Sequence, residues 1–230
     1  MQNSTVFDET VFLLGHPIQH RRHAHVSATL ARHGDDMTGM HSALASARSV
    51  CNWHPDMRAF TDWPVEIPET ETPPLKVPAV SQVETLTCPD AELTRPLVQS
   101  IKEAANEGHW IQTYTEEQVG WHFLANYGYF ELVGPKGHFH SNHLRAFVAY
   151  WGAGLKYDWH HHEAEEIYLC LAGGATFYAE GRPPIKVSPG EALFHASHQS
   201  HAMVTTDQPI LTLVLWRGAG LAGLPRMDNA

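Results

Sequence analysis

The chain has few cysteines, a deficit of positive charge and no long apolar run. Its three cysteines, Cys51, Cys88 and Cys170, are odd in number and widely spaced, which argues against a disulfide framework and suits a reducing compartment. Lys and Arg total 15 against 25 Asp and Glu, for a net charge of −10. Nucleic acid and anionic membranes both call for a basic patch, so neither is an expected partner. No stretch reaches the length of a membrane span, and the first nine residues carry neither a basic start nor an apolar run; the expected location is cytoplasmic. At 230 residues and 43% hydrophobic content, the chain can build one well-formed core and is short for two. The expectation is one catalytic domain plus an extension.

What the chain does have is histidine, 18 residues of it. One run orders them: Gly154, His160, His162, Glu166 and Gly173 spell G(x)5HxH(x)3E(x)6G. Side chains two apart on a strand share a face, so His160 and His162 point together, as do Glu166 and Tyr168 on the next strand. A short turn between the strands brings both faces to one point. Imidazole and carboxylate together suit one divalent transition metal, iron, zinc, manganese, nickel or cobalt, better than a solvated polar tract explains the spacing.

A second segment adds a donor. Pro189-Gly190 makes a turn, an apolar strand follows, and histidines come at His195, His198 and His201, any of which could complete the set. Tyr168 also has two readings of equal weight. Its phenol, ordinarily ionising near 10, becomes a usable base beside a cation, or else it is a ring filling the interior with its hydroxyl bonded to a neighbour.

From residue 129 onward, short runs rich in Val, Leu, Ile, Tyr and Phe alternate with turn signals. Strands are expected at 129–133, 145–151, 167–171, 175–179, 185–187, 192–195, 202–205 and 210–216, the density of an all-β barrel or jelly roll. The first half reads as helices at 8–14, 26–33, 41–50 and 94–108, the last capped by Thr94 and stopped by Gly108. Between them, residues 55–89 hold seven of the 15 prolines and are expected as an extended surface connector. The organisation expected is a helical extension over 1–126, a barrel over 127–220 and a tail over 221–230. Two further histidine groups stay outside the site. His16, His20, His23 and His25 read as a solvated loop or helix face, and His138, His140 and His143 follow a turn at Gly134 to Gly137.

Together the two segments resemble the motifs of the cupin superfamily, in which the second motif ends in the ligand histidine, here His201. The resemblance implies a mainly β cupin barrel with an N-terminal helical extension and a metal held by His160, His162, Glu166 and His201. Within that superfamily, the stretch from Tyr157 to Tyr168, the His201-Ala202-Met203 ending and the Trp216-Arg217 pair resemble the dimethylsulfoniopropionate lyases of marine bacteria, over roughly the C-terminal hundred residues. That resemblance implies a carbon–sulfur lyase releasing dimethyl sulfide and acrylate, with Tyr168 as base and Tyr157 lining the substrate site. The substrate is a small zwitterion with a sulfonium group, for which aromatic faces such as Trp216, Tyr157 and Phe194 are the natural recognition surface. His161, inside the HxH, and the helical extension depart from the pattern. The extension is expected to shield the site or to form a homodimer contact. Two other readings share the same ligands: a cupin dioxygenase, which would consume oxygen, and a non-catalytic small-molecule-binding cupin, which would not need Tyr168 near the metal.

Overall fold

The computed structural model describes residues 39–60 and 63–228. The helices expected at 8–14 and 26–33 and the histidines from His16 to His25 lie outside the described residues. Among the described residues, five helices precede the strands: α1 (Gly39–Trp53), α2 (Pro55–Phe60), α3 (Val80–Thr85), α4 (Arg95–Ala104) and α5 (Glu116–Ala125). Eleven strands follow: β1 (Tyr127–Gly134), β2 (Phe139–His140), β3 (Arg145–Trp151), β4 (Lys156–His161), β5 (Glu165–Gly173), β6 (Ala175–Ala179), β7 (Ile185–Val187), β8 (Ala192–His195), β9 (His201–Val204), β10 (Ile210–Arg217) and β11 (Arg226–Met227). They form a six-stranded sheet ordered β2-β1-β3-β10-β5-β8 and a five-stranded sheet ordered β11-β4-β9-β6-β7. The chain is thus mainly β, a cupin barrel with helices before it. No helix among the described residues is long and apolar enough to cross a membrane.

Period-2 alternation explains how the large sheet serves two cores. Phe130, Leu132, Val148, Leu169, Leu171, Leu213 and Leu215 point outward and pack with Leu97, Val98 and Ile101 of α4 and Ala43 and Ala47 of α1. The residues between them, among them Tyr129, Phe147, Trp151, Tyr168, Val214 and Trp216, point inward and form the barrel interior. Burial on both faces is why these strands read as nearly continuous apolar runs.

The proline-rich segment differs from the expected surface connector. Helices α2 and α3 interrupt it, and Met57, Phe60, Val80 and Val83 are buried in the same core as the sheet. Pro55 stands at the first position of α2, where a missing N–H costs nothing and the fixed φ favours a helix start. Helix α4 ends at Ala104, short of Gly108, and Thr94 precedes it without a side-chain capping bond. Residues 221–228 of the expected tail are also built into the fold: β11 pairs with β4, and the Arg145 guanidinium donates to the carbonyls of Leu221 and Gly223 at 2.8 Å each.

Gly173, which closes the first motif, ends β5 at φ 73°, and a Cβ there would lie 1.7 Å from the Pro209 carbonyl oxygen. Any side chain at this position would force β5 and β10 apart.

Candidate metal centre

The site forms where the chain crosses from one sheet to the other. His160, near the end of β4, stands opposite His201 at the start of β9 in the five-stranded sheet. Glu166 begins the inward row of β5 and lies between Trp216 of β10 and His195 of β8. His162 falls just beyond β4, in the crossing turn.

Each histidine is fixed by its own backbone neighbourhood. His160 Nδ1 lies 2.8 Å from the Asp158 carbonyl, His162 Nδ1 2.8 Å from that of Ala164, and His201 Nδ1 2.9 Å from that of Gln199. A carbonyl only accepts, so Nδ1 carries the proton in all three rings and each neutral ring keeps its lone pair on Nε2. The His162 and His201 Nε2 atoms lie 3.2 and 3.1 Å from one oxygen of Glu166, its Oε2. All three atoms are buried and none has a properly directed hydrogen bond. Acceptors facing acceptors in a dry site repel unless a cation stands among them. The three donor atoms lie within 4.8 Å of one another, and their nitrogen and oxygen chemistry suits a divalent transition metal. The residues fit the group.

Electrostatics reinforce the trio. Burial would raise the Glu166 carboxyl, but in the metal-free site the facing His162 and His201 rings, when protonated on Nε2, hold it well below its ordinary value. Burial would lower His162, and the Glu166 charge more than offsets this, leaving it raised. The other Glu166 oxygen, Oε1, accepts from Trp216 Nε1 at 2.7 Å, so the carboxylate is oriented by a neighbour that competes for only one of its oxygens.

His160 stands one ring further out, outside the close trio. Its ring meets that of His201 edge-on at 4.1 Å and stacks on Tyr157 at 4.0 Å, and burial, with His201 nearby, lowers its pKa well below the ordinary value. Of the other two histidines in the second segment, His195 stacks on His201 at 4.1 Å with both nitrogens unpartnered, and burial with His201 lowers it to about 3. His198 turns away, its ring 6.4 Å from that of His161, which itself binds Asp228.

Beside the trio opens a narrow cleft of about 50 Å³. Tyr127, Tyr129, Trp151, Tyr157, Tyr168 and Trp216 line it, Glu166 forms part of its wall, and Gly223, Leu224 and Pro225 cross one side. Trp216 therefore serves the site through its N–H as well as its ring. Phe194 does not join the cleft. Strand parity turns His195 inward and Phe194 outward, where its ring packs 6.1 Å from Phe60 of α2. Its expected substrate contact is corrected accordingly. The sequence reading missed Tyr127, Tyr129, Trp151 and the crossing segment. The alternation Tyr127-x-Tyr129 was a usable signal for the first two, and the segment had none, because backbone carbonyls hold it.

A barrel with two histidines and a glutamate facing one another at a sheet crossing defines the class: a cupin whose His/Glu cluster could hold a metal ion. Comparison with known proteins gives the family. The dimethylsulfoniopropionate lyase family matches residues 54–212, and the chain belongs to it. It is 35% identical to the dimethylsulfoniopropionate lyase DddQ of Ruegeria pomeroyi, over 76% of this chain and 87% of that protein. A crystal structure of DddQ from the same organism superposes with a TM-score of 0.78 at 32% identity, covering 83% of this chain and 96% of that one. A chain from crystal structures of the DMSP lyases RdDddP and RnDddQII gives a TM-score of 0.80 at 39% identity, covering 83% and 97%. As a member of this family the chain is an enzyme, a lyase.

Proposed function

We propose that the chain cleaves dimethylsulfoniopropionate to dimethyl sulfide and acrylate by β-elimination, with Tyr168 as the base and a divalent transition metal bound by His162, Glu166 and His201, with His160 as the further ligand. The observation that carries this reading is the meeting of three bare acceptors at the wall of an aromatic cleft that also holds a tyrosine two residues beyond Glu166. When bound, the metal supplies Lewis acidity to the substrate carboxylate and positive charge that favours the Tyr168 phenolate.

The chain's own residues supply the rest. Burial, and then the Glu166 charge, hold the Tyr168 phenol well above 10 in the protein by itself, so the base is generated in the loaded site and not by the fold alone. Tyr168 Oη takes the proton beside the carboxylate; the C–H electrons form the double bond, and the C–S electrons leave on sulfur as neutral dimethyl sulfide. The sulfonium has no N–H or O–H to donate, so the faces of Tyr127, Tyr129, Trp151 and Trp216 recognise it through their negative quadrupole. These rings also exclude water, which strengthens every electrostatic contact with the developing charge.

The test is purified, metal-loaded protein with dimethylsulfoniopropionate, following headspace dimethyl sulfide and acrylate. Equal amounts of both products with no oxygen uptake support the proposal. Release of no dimethyl sulfide with any of the five metals overturns it.

A further inference from the structure

Tyr114 lies outside the barrel, in the segment joining α4 to α5, yet its hydroxyl reaches the site. Its Oη is 2.7 Å from Tyr157 Oη, a buried contact between residues 43 apart in sequence. The Tyr114 ring is held by Phe123 of α5 and by Tyr127, each with centroids 6.4 Å away, and meets the Tyr157 ring at 5.8 Å. Tyr157 is in turn clamped on its other side by the His160 ring at 4.0 Å. Both ends of Tyr157 are therefore fixed. Tyr157 lines the cleft, whereas Tyr114 borders a separate surface cleft behind it.

A phenol carries one proton and accepts through its lone pairs. If Tyr157 donated to Tyr114, it would offer only lone pairs to the cleft and repel an anionic oxygen there. If Tyr114 donates to Tyr157, the Tyr157 proton is free to reach such an oxygen, and each bond in the chain strengthens the next. A carboxylate in the cleft selects the second order.

Resting on the elimination reading, we propose that Tyr114 is a positioning residue for the substrate carboxylate: it donates to Tyr157 and directs the Tyr157 proton into the cleft. The pre-barrel segment thus completes the substrate site.

The experiment is calorimetric titration of full-length, metal-loaded protein with two probes: propionate, which has the carboxylate, and trimethylsulfonium, which has only the cation. Tyr114→Phe keeps the ring and removes the donor, so propionate should bind about fivefold to tenfold more weakly, the worth of one such hydrogen bond. Trimethylsulfonium should bind as in the wild type, which a general collapse of the wall would not allow. The double variant with Tyr157→Phe should bind propionate no more weakly than Tyr157→Phe alone, since Tyr114 acts through Tyr157. Wild-type propionate affinity in Tyr114→Phe, equal loss of both probes, losses that multiply in the double variant, or a wild type that binds no propionate each overturn the proposal. None of these readouts uses turnover, so failure of this proposal is read from probe binding and failure of the lyase reading from the absence of dimethyl sulfide.

Discussion

The two faces of the six-stranded sheet are equally buried and chemically unlike. The outward face is mostly aliphatic, with Leu132, Leu169, Leu171, Leu213 and Leu215 beside Phe130 against α1 and α4. The inward face of the same strands carries Tyr129, Phe147, Trp151, Tyr168 and Trp216, with Glu166 among them. Aliphatic packing needs no partners and tolerates no voids, so it stabilises. Aromatic rings with polar tips leave a cleft and bring hydroxyl and N–H groups to bear on a ligand. Alternation along one strand therefore separates stability from chemistry at a spacing of a single residue, and substitutions on the two faces should separate the same way.

The largest effect should come from the inner face. Tyr168→Phe keeps the ring against Phe177 and Trp151 and removes the proposed base, so turnover should fall about a hundredfold to ten-thousandfold, with little change in melting temperature or bound metal. A rate within twofold of wild type would remove Tyr168 from its role. On the outer face, Leu132→Ala, fully buried, should destabilise by about 2–5 kcal/mol; urea unfolding measures this, and kcat per folded molecule should not move. Trp216→Phe lies between the two. It deletes the N–H that orients Glu166 while keeping a ring, and metal affinity measured by chelator competition should drop about tenfold to a hundredfold.

A pH series sharpens the inner-face account. In metal-free protein the raised His162 contributes stability in full below the ordinary imidazole value of 6.5, and that contribution is lost as pH rises through its raised folded value. Glu166, held low, loses its contribution only when pH falls through its depressed value. In loaded protein the metal displaces the proton, so the trend above 6.5 should reverse, with metal binding strengthening as pH rises. Melting temperatures of both forms between pH 5 and about 9 decide this, and identical slopes would count against a shared metal and proton site. The smallest effect should be Phe194→Leu. Its ring belongs to the outer face, so KM should stay within about twofold while stability falls by less than about 1.5 kcal/mol.

The barrel was legible in the sequence because its strands are bounded by turn residues. The spans expected for β3, β6, β7 and β8 coincide with those observed. Within the trio, His162 and Glu166 were legible because they straddle a sheet crossing at fixed spacing, whereas His201 was singled out from His195 and His198 only by the family resemblance. Helix α5 escaped the reading although Thr115 and Gln118 mark its start, the Thr115 N–H donating to Gln118 Oε1 at 2.9 Å. Its interior holds Gly120 at φ 78° and only Phe123 is buried, so no apolar stripe announced it. Helices α2 and α3 were hidden by prolines taken as signs of an extended chain. Phe194 was misassigned for want of parity: with His195 inward, its neighbour had to face out. Tyr114 could not be found at all, because its partner lies across the fold and not along a motif.

Arg145 lines the cleft, but its charge is already matched by Glu131, whose Oε2 lies 2.6 Å from Arg145 Nε in a buried pair. That wall consequently offers no monopole to an incoming molecule. A charged metabolite would feel the field of a chain carrying −10 overall and would be steered or turned away according to its sign, whereas a zwitterion has no net charge for that field to act upon. Under the proposed lyase reading, association of such a substrate should therefore depend little on ionic strength.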